Sequence, residues 1–367
     1  MRSVPAPGRA SVTLKDLAKA AGLSRTAVSR ALRDMPDIGP ATRKRVKLLA
    51  GKIDYHPHEI ARSLAVGRTK IIGLVLNELD NPFYGALAEK IARFVEQAGY
   101  SFLVSHVDPY DPYTTAEKAI RYLARRNADG IIAGVAPNVF YDVRGICRPL
   151  VAYGVLDKHL PGVFTDRKHG MREAVSYLVA LGHTQFGLLC LQRPHPREGK
   201  QAGFRSALVR HGLPVRQEWI VPGTGTLHSG FETTKAFLRN RDLPTVFMYN
   251  NDLAAIGGMQ AIQEAGLRVP EDISVVGFDN IEMGRYTFPA LTTVEQPVDT
   301  IAEHVLRILF RRIDDPEYME QTILRPELII RNSTGVPPTD KAMRRYTGET
   351  DDAAPKGTVL EPMEVTS

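Results

Sequence analysis

From residue 71 onward, short apolar segments rich in β-branched residues alternate with segments of helical periodicity. The apolar segments fall at 71–76, 102–107, 130–135, 150–155, 186–191, 245–249 and 274–278. Residues 84–98 place apolar side chains at i, i+3, i+4 and i+7, and Gly99 follows as a C-terminal stop signal. Thr114 and Glu117 predict a capping box at the next helix. This alternation predicts parallel α/β sheets, and about 260 residues favour two lobes over one open sheet.

The segment TLKDLAKAAGLSRTAVSRAL, residues 13–32, has the pattern of two short helices joined by a tight turn. Thr13 is placed to cap the first helix, Gly22 permits the turn, and Ser24 is placed to cap the second. A third helix is predicted from Pro40, with Gly39 as its N-cap. This spacing favours a helix-turn-helix unit, whose second helix enters the major groove of DNA. The alternative is an ordinary small helical bundle with solvated basic side chains.

Net charge distinguishes residues 1–70, which we call the head, from the rest of the chain. Residues 1–70 hold 15 Lys/Arg against 5 Asp/Glu, a net charge of +10, whereas the remaining 297 residues hold 32 against 36, a net charge of −4. A basic head on a slightly acidic body predicts a polyanion-binding module attached to a domain with a different role.

Several protein classes are disfavoured by the same sequence. Two cysteines form neither a disulfide framework nor a cysteine-rich zinc site, and no N-terminal apolar segment or run of 18 apolar residues is present. We therefore expect a soluble cytoplasmic protein. The nearest match to a nucleotide-binding or catalytic motif is GTGTLH at 223–228, which lacks the final glycine, and the ten histidines show no metal-ligand spacing. No enzymatic activity, cofactor or metal is expected. The alternative class is a solute receptor or sugar-processing protein without a DNA role.

Several segments together resemble the LacI/GalR (lactose-repressor/purine-repressor) family of bacterial transcription regulators. They include VTLKDLAKAAGLSRTAVSRAL, YLVALGHTQFGLL, NDLAAIGGMQAIQEAGLRVPEDISVVGFDN and FPALTTVEQPV, and the similarity extends over roughly residues 12–335. The resemblance implies an all-α helix-turn-helix headpiece with a hinge helix, followed by a two-lobed α/β periplasmic-binding-protein-like domain with parallel sheets. The implied ranges are a flexible tail at 1–12, the headpiece at 13–55, the hinge helix and linker at 56–70, the first lobe at 71–164 and 293–324, the second lobe at 165–292 and 325–335, and a flexible tail at 336–367.

The resemblance further implies a homodimer that binds near-palindromic operator DNA, with one recognition helix in each major groove. Arg25 and Thr26 match the positions that select bases, and an arginine there favours guanine. Leu64 matches an apolar wedge that enters the minor groove and bends the duplex. The other implied DNA-binding positions are Thr13, Ser24, Ser29, Arg30, Tyr55, His58 and Ala61.

A small sugar-like effector, held between the two lobes, is implied to control operator affinity allosterically. The matching positions are Asn81, Phe83, Tyr84, Asp166, Arg167, Lys200, Asn251 and Asp279. Three positions depart from the family pattern: Lys200 replaces an arginine, Arg167 an asparagine, and Gly225 a frequent aromatic residue. The two cations favour an acidic or phosphorylated sugar. Induction and co-repression both stay open, and the lack of a C-terminal leucine heptad favours a dimer over a tetramer.

Overall fold

A computed structural model describes residues 12–55, 68–77, 79–107, 115–134, 148–154, 159–191, 199–240 and 242–338. Two compact units divide the chain between Lys70 and Ile71, and each is described by itself. The predicted hinge helix and its residues His58, Ala61 and Leu64 lie outside the described residues, as do 1–11 and 339–367 of the two predicted tails.

The head consists of three helices, α1 (Leu14–Ala21), α2 (Arg25–Leu32) and α3 (Pro40–Lys52). The predicted caps are confirmed. The Asp16 amide donates to Thr13 Oγ1 at 3.3 Å while the Thr13 amide donates to Asp16 Oδ2 at 2.9 Å, which completes a capping box. Gly22 ends α1 with a φ of 64°, a conformation that a side chain would strain. The Ser24 hydroxyl accepts from the Ala27 amide at 3.1 Å at the start of α2.

The three helices pack around a small apolar core. Leu17, Val28 and Val46, one from each helix, are fully buried there. Burying such a side chain stabilises the fold by about 1.5–3 kcal/mol. The core also includes Ala18, Ala21, Ala31, Ala50 and Tyr55. The apolar side chains of α2 therefore anchor it inward and leave its opposite face exposed to solvent.

The body contains two six-stranded sheets. Strands of the first sheet are β1 (Ile71–Asn77), β2 (Ser101–Val107), β3 (Gly130–Ala133), β4 (Leu150–Tyr153), β5 (Gly162–Thr165) and β11 (Gln321–Leu324), in the order β11-β5-β4-β3-β1-β2. Every pair in this sheet is parallel. The helices of this lobe are α4 (Pro82–Gln97), α5 (Ala116–Arg125) and α10 (Val298–Asp314).

The second sheet has the order β12-β10-β9-β8-β6-β7. Its strands are β6 (Phe186–Leu191), β7 (Ile220–Gly223), β8 (Val246–Tyr249), β9 (Ser274–Asp279), β10 (Thr292–Glu295) and β12 (Glu327–Ile329). Only β12 runs antiparallel, along β10, among the pairs that the described strands form. The helices of this lobe are α6 (Arg167–Ala180), α7 (Lys200–Arg210), α8 (Leu227–Phe237) and α9 (Asp252–Glu264).

Two details differ from the sequence expectations. The lobe boundary was expected at 293, but β10 pairs with β9 in the second sheet, and Val294 is fully buried in the second lobe's core. The chain therefore crosses back to the first lobe after Glu295. The cap of α5 is Thr115 rather than Thr114, because the Thr115 hydroxyl accepts from the Lys118 amide at 3.2 Å. The strands that periodicity missed, including β5 and β10–β12, are only three or four residues long.

Glycines allow α8 and α9 to pack closely in the second lobe. A Cβ at Gly257 would lie 2.0 Å from the carbonyl oxygen of Leu227, and one at Gly230 would lie 2.1 Å from that of Ala254. Side chains at these two positions would push the helices apart. This contact fixes α9, whose N-terminus begins at the junction between the lobes.

Candidate DNA-binding and effector-binding sites

The exposed face of α2 begins with Arg25 and Thr26. Both side chains are exposed in the first turn of the helix, directly after the Ser24 cap. The Arg25 side chain forms no hydrogen bond or ion pair with any other described residue. The first turn of a recognition helix is the part that reaches base edges in the major groove. The sequence-predicted pair therefore lies where base contacts would be made.

The other predicted DNA contacts in the head have internal roles as well. The Ser29 hydroxyl accepts from Arg33 Nη2 at 3.0 Å, and Arg30 Nη2 forms an ion pair with Asp37 at 2.9 Å. Thr13 is exposed, and its hydroxyl donates to Asp16 at 2.6 Å. Phosphate contacts from Thr13 and from Arg30 Nη2 would therefore compete with these bonds, whereas the Ser29 hydroxyl keeps its own proton to donate.

Tyr55 belongs to the core of the head. The residue is only 9% exposed, and its burial raises the pKa of the phenol above its ordinary value. Its predicted role in contacting the DNA backbone therefore stays a prediction from the resemblance.

The basic residues of α3 bond largely to the head itself. Arg43 Nη1 donates to the Asp34 carbonyl at 3.0 Å, and Arg45 Nη2 donates to the Ala21 carbonyl at 2.8 Å. Lys47 pairs with the Asp34 carboxylate at 2.7 Å. These side chains hold α3 against the preceding turns. Part of the positive charge of α3 therefore stabilises the fold of the head.

In the body, the predicted effector residues lie where strands end and helices begin. Asn81 caps α4, Asp166 caps α6, Asn251 caps α9, Lys200 opens α7, and Asp279 ends β9. Ligands of open parallel sheets bind outside the carboxyl ends of the strands. The fold therefore places these five positions of both lobes at the edges where a ligand would bind.

Asp279 joins the two lobes. Asn81 Nδ2, from the first lobe, donates to Asp279 Oδ2 at 3.4 Å, and Gln296 Nε2, at the crossing between lobes, donates to Asp279 Oδ1 at 2.7 Å. Burial raises the pKa of the Asp279 carboxyl, while the charges of Lys200 and Arg167 act in the opposite direction. We call Asn81, Tyr153, Arg167, Lys200, Asp279 and Gln296 the interlobe site.

Comparisons with known proteins identify both units. A family model described as bacterial regulatory proteins, lacI family, matches residues 13–58, and a periplasmic binding protein-like domain matches residues 175–334. The protein named "Probable HTH-type transcriptional repressor ExuR" from Bacillus subtilis is 33% identical over 88% of this chain and 98% of its own length. The chain belongs to the LacI family. It is a regulatory protein and not an enzyme.

Solved structures agree with this LacI-family assignment. The lac repressor dimer bound to operator and the anti-inducer ONPF has a TM-score of 0.81 and 28% identity, covering 89% of this chain and 100% of that one. A LacI family regulator from Enterococcus faecium with bound ribose has a TM-score of 0.65 and 26% identity, covering 72% and 99%. The predicted fold class, a helix-turn-helix unit followed by a two-lobed periplasmic-binding-protein-like domain, is confirmed.

The departures from the LacI-family pattern change the interlobe site. Lys200 is 7% exposed, its Nζ donates to the Asn250 carbonyl at 2.6 Å, and it lies 4.1 Å from the centroid of the Phe278 ring. Gly225 has a φ of 83°, and its carbonyl accepts from Asn251 Nδ2 at 2.8 Å. Both residues therefore support the second lobe's own backbone at this edge.

Arg167 lies where the chain passes from the first sheet into α6. Its Nη2 is 3.1 Å from the position that a Cβ at Gly154 would take, so the guanidinium approaches the end of β4 in the first lobe. Its charge also acts on Asp279 in the second lobe. Arg167 is thus the cation of the interlobe site that lies close to β4 in the first lobe and whose charge acts on Asp279 in the second.

Tyr153 and Gln296 were missed by sequence reasoning. Tyr153 is 2% exposed, and burial raises the pKa of its phenol well above the ordinary value. Its hydroxyl lies beside the Arg167 guanidinium, whose charge and hydrogen bond act against that rise. Gln296 Oε1 has no hydrogen-bond partner in the described part of the chain. The signal for Tyr153 was its place at the carboxyl end of a predicted strand.

Phe83, by contrast, was a predicted effector contact, yet it is 3% exposed and packs in the first lobe's core.

The turn after β9 is strained and is held by Asp252. Asp279 and Asn280 have φ values of 120° and 58°. Asp252 Oδ2 accepts from the Ile281 amide at 2.8 Å, and its Oδ1 accepts from the Thr293 hydroxyl at 2.5 Å. Burial, with a smaller contribution from Asp279, raises the pKa of Asp252 to about 7. Strained non-glycine residues persist only where the surroundings hold them. Asp252 therefore fixes the position of Asp279.

Proposed function

We propose that the protein is a cytoplasmic, sequence-specific transcriptional repressor whose affinity for operator DNA is controlled by a small sugar-like effector. The observation that carries the DNA-binding part is the exposed first turn of α2 with Arg25 and Thr26. Its relatives in the LacI family include named transcriptional repressors, and a structural neighbour binds operator as a dimer. No described helix is long and apolar enough to cross a membrane.

Arg25 would supply the main sequence-reading contact. A guanidinium can donate to both O6 and N7 of guanine, which discriminates against other bases by about 1–3 kcal/mol. Thr26, one residue further along the exposed face, would contact the neighbouring base. Thr13 and Ser24 lie at helix N-termini, where backbone amides also favour phosphate. We expect a guanine in each half-site of a near-palindromic operator.

The second lobe carries a surface suited to a homodimer. Phe288 is 91% exposed, Tyr286 is 79% exposed, and Met283 is 49% exposed on the segment that follows the Asp279 turn. Clustered exposed apolar side chains on a water-soluble domain mark interaction surfaces. We assign this surface to a second copy of the chain, because operator symmetry requires two heads and the lac repressor neighbour is a dimer.

Effector control would act through the interlobe site. A ligand shifts a conformational equilibrium only by its difference in affinity for the two forms. The bond from Asn81 to Asp279 and the approach of Arg167 to Gly154 both depend on the distance between the lobes. A sugar whose hydroxyls bond to Asp279 and Asn81 would favour one lobe arrangement and thereby one DNA affinity. The structural neighbour from Enterococcus faecium binds ribose.

The hinge remains a prediction from the resemblance alone. Leu64→Ala should weaken operator binding and reduce DNA bending while effector binding is retained. Gel mobility of circularly permuted operator fragments measures the bending. Unchanged bending would contradict the assignment of Leu64 as a wedge.

The DNA-binding proposal is tested by comparing Arg25→Ala with Lys44→Ala. Binding sites are first selected from random DNA with the full-length protein, and affinities are then measured by fluorescence anisotropy. Each variant removes one positive charge from an exposed position of the head. Arg25→Ala should reduce discrimination between selected and scrambled DNA about 10-fold or more, whereas Lys44→Ala should weaken both equally. Failure to select any sequence, or equal effects of the two variants, would refute the proposal.

A thermal-shift screen against sugars and sugar derivatives tests the effector part. A ligand that binds the folded state in preference to the unfolded state stabilises it by RT ln(1 + [L]/Kd), which raises the melting temperature. We expect at least one sugar or sugar derivative to stabilise the protein and to change its affinity for the selected DNA. A ligand that stabilises the protein without changing DNA affinity would contradict allosteric control.

A further inference from the structure

The exposed face of α2 continues past the first turn to Arg33. Thr26, Ser29 and Arg33 follow one another at i, i+3 and i+7, the spacing that places side chains on one face of a helix. The helix ends at Leu32, and the exposed Arg33 is its C-terminal cap. At 1.5 Å per residue, Arg33 lies about 10 Å along the helix axis from Thr26. The face that begins with the predicted base contacts therefore ends with an arginine.

The Arg33 guanidinium is folded back onto Ser29. Its Nε donates to the Ser29 carbonyl at 3.2 Å, and its Nη2 donates to the Ser29 hydroxyl at 3.0 Å. A basic side chain that bonds only to a carbonyl of the last turn is an ordinary C-terminal cap. The additional bond reaches a side chain of the exposed face. Because both bonds come from one planar group, the guanidinium has a defined orientation on the surface of α2.

These bonds leave the Ser29 hydroxyl with a proton to donate. A serine hydroxyl has one donor and two acceptor positions, and Arg33 uses one of the acceptor positions. Within the part of the chain that the structure describes, the hydroxyl proton has no acceptor and Arg33 pairs with no carboxylate. The Nη1 atom of Arg33 likewise donates to no described residue. The pair therefore presents hydrogen-bond donors together with one positive charge.

A backbone phosphate is the group of DNA that matches such a pair. Phosphate oxygens accept hydrogen bonds and carry negative charge, whereas base edges offer donors as well as acceptors. Recognition helices reach base edges with their N-terminal residues, and Arg33 lies at the C-terminal end of α2. Hydrogen bonds to a charged phosphate are also about twice as strong as those between neutral groups. Position and chemistry thus both favour the DNA backbone over a base.

From this geometry we propose that Ser29 and Arg33 bind one backbone phosphate of the operator together, with Arg33 directing the Ser29 hydroxyl proton towards it. Arg33 thereby has two roles, as a contact to the phosphate and as a positioning residue for Ser29. Ser29 is a predicted DNA contact, but the sequence did not single out Arg33. The inference rests on the proposed function, because it adds a residue to the same DNA-binding face.

Methylphosphonate scanning locates the phosphate. Duplexes of the selected DNA sequence carry one neutral methylphosphonate in each half-site, at a position that is moved along the backbone, and fluorescence anisotropy measures their affinity for the full-length protein. The native protein should lose affinity about 10-fold or more at the phosphate that Ser29 and Arg33 bind. In Ser29→Ala and in Arg33→Ala the same methylphosphonate should cost less than about 3-fold, because the contact is already weakened.

A double-mutant cycle on unmodified DNA tests the positioning role. Ser29→Ala should weaken binding about 10-fold in the native protein and less than about 3-fold in the Arg33→Ala background. Arg33→Lys keeps the charge but not the planar pair of bonds to Ser29, so Ser29→Ala should have a similarly small effect in that background. Lys44→Ala removes an exposed charge from α3 and should leave the effect of Ser29→Ala unchanged. Thermal unfolding of each variant separates loss of the phosphate contact from loss of fold.

Three results would overturn the inference. They are full sensitivity to the methylphosphonate in Arg33→Ala, sensitivity lost at different phosphates in Ser29→Ala and Arg33→Ala, and equal effects of Ser29→Ala in every background. A protein that selects a DNA sequence but gives any of these results keeps the proposed function and loses this inference. A protein that selects no DNA sequence loses both.

Discussion

Asp252→Asn should remove a pH dependence of stability from the second lobe. Asp252 is fully buried, and its pKa rises from an ordinary value of 3.8 to about 7, mainly because burial disfavours the charged form. A folded-state pKa above the unfolded value means that the folded state holds the proton more tightly. The stability that this proton contributes is complete below pH 3.8 and is lost as the pH rises to about 7.

The size of the effect follows from that interval. Each pKa unit corresponds to about 1.4 kcal/mol, so a shift of roughly three units corresponds to about 4 kcal/mol of unfolding free energy between pH 4 and pH 8. Asparagine is neutral at every pH and nearly the same shape. Its Oδ1 can accept from the Ile281 amide while its Nδ2 donates to the Thr293 hydroxyl, which keeps both contacts. The variant should therefore match the native protein near pH 4 and exceed its stability at pH 8.

Trp219 provides the assay. It is the only tryptophan, is 3% exposed, and packs in the same second-lobe core as α9 and Leu291. Urea unfolding followed by its fluorescence at pH values from 4 to 8 gives the two stability profiles. Other titrating groups, including His183, occur in both proteins and cancel in the difference. Parallel profiles would refute the reasoning, since they would show that Asp252 is charged throughout this range.

Three further outcomes are expected. Gly257→Ala should lower the free energy of unfolding by about 2–3 kcal/mol in urea, because the new methyl group would meet the Leu227 carbonyl; unchanged stability would contradict the close α8–α9 contact. Phe288→Asp should convert dimer to monomer in sedimentation velocity and weaken operator binding, and a persistent dimer would exclude this surface. Thr13→Ala should lower the melting temperature of the head by removing about 1 kcal/mol of capping, with Thr13→Ser as the control that retains it.

The head was predictable because its signals are local. Thr13, Ser24 and the Gly39–Pro40 pair each act within four residues of a helix start, so the sequence alone defines α1 to α3. The body was predictable where strands are apolar and five or more residues long. Short strands such as β5 and β12 owe their conformation to neighbours in the sheet, which no local pattern records.

The interlobe site was only partly predictable. Asn81 and Asp279 are 198 positions apart, so their hydrogen bond follows from the packing of two lobes and not from spacing in the sequence. Tyr153 and Gln296 are polar residues at strand ends, and their burial at the junction of the lobes is visible only in three dimensions. Phe83 shows the opposite case. Its position matches a family ligand contact in the sequence, but in the structure its ring packs in the core.

Several of the basic side chains of the head bond to the head itself. Residues 1–70 carry 15 basic side chains, but Arg43, Arg45 and Lys47 bond to the head itself and Arg30 pairs with Asp37. Each phosphate that a protein neutralises contributes about 0.9 to the slope of log affinity against log salt. Basic side chains that already bond to the protein add to its electrostatic attraction for DNA, but they do not each neutralise a phosphate and release its counterion. We therefore expect the salt dependence of operator binding to be smaller than the count of basic residues implies. Sequence preference, by contrast, would depend under the proposed function on the exposed Arg25 and Thr26, which the net charge does not describe.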